Sequence, residues 1–84
     1  MGLFRRIEEH GTLMSRMMRR TGVNLAHIDG YGGESALRGA IARCIGCPHG
    51  EACGAWLAEA EQGAPPPAFC RNAQLFGALA DAEA

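Results

Sequence analysis

The chain has 84 residues, 48% of them hydrophobic and 20% charged, with a formal net charge of −1. A chain this short buries only about 60% of its unfolded surface, so it makes one domain whose core needs a staple such as a metal, a disulfide or a partner. The near-neutral total excludes a global pull toward nucleic acid or membrane; no apolar run approaches the roughly 18 residues of a bilayer span, and the apolar content excludes general disorder.

From Leu3 to about Arg20, the residues Leu3, Phe4, Ile7, Met14, Met17 and Met18 recur at helical spacing, which predicts an amphipathic helix. His10 shares that face as a packing residue, while Arg5, Glu8, Glu9, Arg16 and Arg19 share the opposite one. Residues 1–20 carry Arg5, Arg6, Arg16, Arg19 and Arg20 against Glu8 and Glu9, a local charge of +3. Nucleic-acid binding is not expected; if present, it would fall to Arg16, Arg19 and Arg20. Thr21-Gly22 supplies the helix stop, with glycine in the left-handed turn. Val23 to Ile28 reads as a short helical turn and Asp29-Gly30-Tyr31-Gly32-Gly33 as a linker. Its glycines form no phosphate loop, because no strand precedes them and all eight basic residues are arginine.

A second helix is expected from Glu34 or Ser35 to Arg43, with Leu37, Ala40, Ile41 and Cys44 on one face. After Gly46-Cys47-Pro48, a third spans about Glu51 to Glu61 and faces Cys53, Trp56, Leu57 and Ala60 inward. Cys53 then lies in the first turn, where the helix dipole favours a thiolate. Gln62 to Ala68, with three consecutive prolines, is a stiff extended return. Asn72 reads as the N-cap of a closing helix through Leu79, which buries Leu75, Phe76 and Leu79. No period-2 run of β-branched residues occurs. The expected fold is all-α, a bundle of about four helices in one domain, 1–84: a basic amphipathic helix over 1–22 and a cysteine-containing core over 34–80.

Cys44, Cys47, Cys53 and Cys70 have the spacing C-x2-C-x5-C-x16-C. No secretory segment is visible, so the reducing cytoplasm is the expected compartment, where such cysteines serve as metal ligands or redox groups more often than as disulfides. A thioredoxin-type dithiol is the weaker option, because Cys44 ends a helix instead of beginning one. Four thiolates saturate one [4Fe-4S] cluster or one Zn2+. Around a core of charge +2 they leave −2, which needs compensation when buried. Arg43 and Arg71 adjoin the first and last cysteines and answer that need, while Trp56 and Phe69 shield the centre from water. His49 is a possible alternative ligand. No base–nucleophile constellation points to an enzyme; a [4Fe-4S] protein for electron transfer or redox sensing is expected, with a protein partner, and a structural zinc module is the alternative.

The segment Cys44-x-x-Cys47-Pro48-x4-Cys53-x-x-Trp56 is similar to the C-x2-C-P-x4-C-x2-(Trp/Tyr) segment of the WhiB-like iron–sulfur regulators. That resemblance covers about a dozen residues and implies cluster ligation by three local cysteines; the remaining cysteine of that family lies upstream, whereas Cys70 lies downstream. Over nearly its full length the chain resembles a family of small uncharacterised bacterial proteins. The likeness is carried by Thr21-Gly22-Val23-x-Leu25, Arg43-Cys44-x-x-Cys47, Cys53-x-x-Trp56-Leu57 and Pro66-Pro67-Ala68-Phe69-Cys70-Arg71-Asn72. It implies that the four cysteines act as a unit.

Overall fold

A computed structural model describes residues 2–81. Four α-helices, α1 (Gly2–Thr21), α2 (Gly33–Ile45), α3 (Gly50–Glu59) and α4 (Ala73–Leu79), are joined by a 3-10 helix (Leu25–Tyr31) and irregular connections. Extended pairing among the described residues is limited to an isolated antiparallel bridge between Val23 and Ala80. The all-helical expectation stands. The expected linker at Asp29–Gly33 does not: the 3-10 helix runs on to Tyr31 and abuts α2. Asn24 starts it by accepting from the Ala26 N–H at 2.9 Å. Gly32 stops it at φ +114°, a left-handed conformation that a side chain resists.

The long first helix is the hub, packing against α2, α3 and α4. Its buried residues His10, Met14, Met17 and Thr21 step by four, three and four, a single stripe at helical period. They meet Ala40 of α2 and Phe76 of α4, with Leu57 and Leu79 buried nearby. The expected apolar face is therefore used only in its C-terminal half. Leu3, Phe4 and Ile7, expected in the core, are 64%, 76% and 41% exposed. At 1.5 Å per residue α1 is about 30 Å long, and over its first two turns the contact with the end of α2 is polar, Arg6 Nε donating to Ile45 O at 2.9 Å, while the apolar side chains there stay uncovered. Ile41 is likewise 42% exposed, on the edge of α2 instead of its core face.

The end of α1 forms a Schellman motif, as Thr21-Gly22 predicts. The Val23 N–H donates to Met18 O at 2.9 Å and the Gly22 N–H to Arg19 O at 3.4 Å, with Gly22 at φ +79°. This end also moors the proline-rich return. Gln62 Nε2 donates to Arg19 O at 2.6 Å, the Gly63 N–H to Arg20 O at 2.7 Å, and Arg20 Nη1 to Ala60 O at 3.1 Å. Carbonyls that a helix end leaves without partners are thereby satisfied, and the chain is led back toward α2.

Candidate metal centre

Each cysteine arrives on its own local structure. Cys44 lies in the last turn of α2, Cys47 in the loop that follows, Cys53 in the first turn of α3, and Cys70 in the turn before α4. The backbone pins these segments: the Cys47 N–H donates to Cys44 O, Cys53 N–H to His49 O at 2.8 Å, and Cys70 N–H to Pro67 O at 3.0 Å. All four are free, half-buried thiols that line one enclosed cavity of about 30 Å³. Leu13 and Met17 of α1 close one side of it, and Phe69 and Phe76 another. The stretches around Cys44–Cys53 and around Cys70 thus border the same cavity.

Burial pushes the Cys44 thiol up to about 11, with smaller contributions from the sulfurs of Cys53, Cys47 and Cys70. Burial likewise raises Cys53 and Cys70, again helped by neighbouring cysteines. At Cys53, desolvation and the neighbouring sulfurs outweigh Arg16, which pulls the other way. In the metal-free chain these groups are neutral thiols at pH 7, and a cation that takes them as thiolates must displace their protons.

The donor set suits a soft metal or an iron–sulfur cluster. Among the described residues, no three His, Cys, Asp or Glu side chains converge tightly enough for one ion. Tetrahedral zinc with bonds of 2.3 Å brings its sulfurs within about 3.8 Å of each other. A four-iron cube holds its outer thiolates farther apart, but about 30 Å³ admits only one or two waters. Zinc therefore needs the sulfurs drawn inward.

Arg43 and Arg71, the neighbours of Cys44 and Cys70 in the chain, both stand at the cavity wall. Phe69 is also there; Trp56 is not, because its ring packs against the bundle core. His49 lies outside, its ring 5.5 Å from that of Phe69, and its backbone N–H donates weakly to Cys47 Sγ at 3.4 Å. It caps the shielding phenyl instead of entering the donor set. Arg16 and Arg19 are exposed, while Arg20 is half-buried and donates to Ala60 O.

Two supporting residues carry roles their sequence context does not announce. His10 Nδ1 donates to Cys44 O at 2.6 Å, while Cys44 Sγ donates to His10 O at 3.5 Å, which clasps α1 to the first ligand. The carbonyl partner fixes the proton on Nδ1. Asn72, expected to cap α4, makes no side-chain cap there. Its amide turns inward, 3% exposed: Nδ2 donates to Ala40 O at 3.0 Å, and Oδ1 accepts from Arg43 Nε at 2.7 Å. Spacing alone identifies Asn72 as a cap; only the arrival of α2 beside it redirects the side chain.

The model of a family of unknown function (DUF6455) matches residues 1–82 of the chain. No curated protein and no solved structure matches it.

Proposed function

The chain belongs to the DUF6455 family, and we propose that its four cysteines hold a [4Fe-4S] cluster used in electron transfer or redox sensing. The observation that carries this reading is that four free thiols, from the end of α2, the loop after it, the start of α3 and the turn before α4, line one apolar-walled cavity with two arginines at its edge. Apolar walls keep water from the ligand bonds, and the guanidinium groups offset the −2 left by four thiolates on a +2 core. The cluster, when bound, supplies a one-electron couple; His10 and Asn72 hold the ligand-bearing helices in place. Such a centre suits the reducing cytoplasm. The resemblance of Cys44–Trp56 to WhiB-like proteins favours the same chemistry.

The small cavity favours a second reading, a four-cysteine structural zinc site in a helical interaction module. Anaerobic purification separates the two. Brown protein with four iron and four sulfide per chain, bleaching in air, supports the cluster; colourless protein with one zinc supports the module. Protein that binds neither, with Cys70→Ser melting like the wild type, refutes both.

A further inference from the structure

On the outer side of the two arginines lies an open cleft of about 550 Å³, within the size range of small-molecule sites. It is lined by Tyr31 at the end of the 3-10 helix, Arg43 of α2, and Arg71, Gln74, Leu75 and Ala78. No carboxylate is among them. The ion pairs found among the described residues, Arg38–Glu34 and His27–Asp81, involve neither arginine.

Arg43 is held in place. Its Nε is committed to Asn72, itself almost fully buried. Its guanidinium lies back over Gly39, so close that a Cβ there would come within 3.2 Å of Nη1. The committed Nε leaves the Nη1/Nη2 edge, a geometry suited to both oxygens of a planar or tetrahedral oxyanion. Arg71 supplies a second cation, Tyr31 and Gln74 supply neutral donors, and Leu75 and Ala78 supply an apolar floor.

We propose that this cleft binds a small organic oxyanion, with its carboxylate or phosphate on Arg43 and Arg71 and its apolar body on Leu75 and Ala78. The proposal stands apart from the identity of the metal, because the cleft opens to solvent while the thiols line the cavity behind it.

The test is a titration of isotopically labelled protein, purified anaerobically, with phenyl phosphate, benzoate and inorganic phosphate, followed by amide and arginine side-chain NMR shifts. Saturable shifts confined to the cleft residues are expected for phenyl phosphate or benzoate below about 10 mM. The tighter of the two identifies the head group, and inorganic phosphate should bind more weakly. Arg71→Gln should weaken binding about tenfold, the loss of one charge-assisted pair, and Arg5→Gln, on the far end of α1, less than about twofold. No saturable shift from either aromatic anion overturns the proposal. So do shifts spread over all arginines, equal losses in the two variants, or inorganic phosphate binding as tightly as both. The location of shifts in the unmutated chain decides even where Arg71→Gln folds poorly.

Discussion

Replacing Asn72 by Ala should destabilise the metal-free protein by about 2–3 kcal/mol. The carboxamide is 3% exposed and makes two hydrogen bonds. The one from Arg43 is charge-assisted, worth about 1.5–3 kcal/mol, and the one to Ala40 O is neutral, worth about 0.5–1.5 kcal/mol. The sum is trimmed toward its lower end, because Ala40 O remains an acceptor within α2 and the exposed Arg43 regains water. Domains of this size are stable by roughly 4–13 kcal/mol, so the loss is a substantial share. At about 4–8 °C per kcal/mol, melting should fall by roughly 10–20 °C. Urea unfolding of reduced, metal-free protein measures it, with the m-value unchanged. Asn72→Asp keeps the acceptor for Arg43 but turns an oxygen toward Ala40 O, and should recover little. A cost for Asn72→Ala below about 0.5 kcal/mol would refute the inward, bridging role.

His10→Ala removes the ring's hydrogen bond to Cys44 O, leaving only the weaker one from Cys44 Sγ to the residue-10 carbonyl, and should cost about 1–2 kcal/mol in the same assay; an unchanged midpoint would contradict it. Leu57, 1% exposed, should cost about 2–5 kcal/mol as Ala, read from chemical denaturation. The fold favours the neutral Cys44 thiol, raised from 9.0 to about 11, so that stabilisation is complete below pH 9 and is lost as pH rises toward 11. Reduced, metal-free protein should therefore melt lower at about pH 10.5 than at about pH 8, by more than Cys44→Ser does; equal pH slopes would be inconsistent with the burial described. Acidification acts oppositely on the loaded form, because protons compete for the sulfurs, and chelator-resistant metal should decline with falling pH.

The helices were legible because their signals are local. Thr21-Gly22 stops α1 by a turn that only its own residues build, and Cys53, Leu57 and their spacing put one face of α3 inward. That the four cysteines line one cavity accords with the chemistry of four thiols in a small chain, which have few other employments. What escaped depended on neighbours. Leu3 and Phe4 have the period of a core stripe, yet the contact of that end of α1 with the end of α2 is polar and leaves them uncovered. Tyr31 sits among glycines that suggest a linker, but the Asn24 side chain nucleates the 3-10 turns through it. Trp56 has the place of a shield and is drawn into the bundle, and Phe76, which lines the cavity, carries no sign of this beyond its helical stripe.

The mooring of residues 60–63 onto the carboxyl end of α1 sets one of the four sulfurs apart in how it is supported. Three of them, Cys44, Cys47 and Cys53, lie within ten consecutive positions, on or between helices that each pack against α1. The last is delivered only by a track whose rails are the carbonyls of Arg19 and Arg20. The place of Cys70 is thus tied to the seating of the opening helix, although that helix carries none of the thiols.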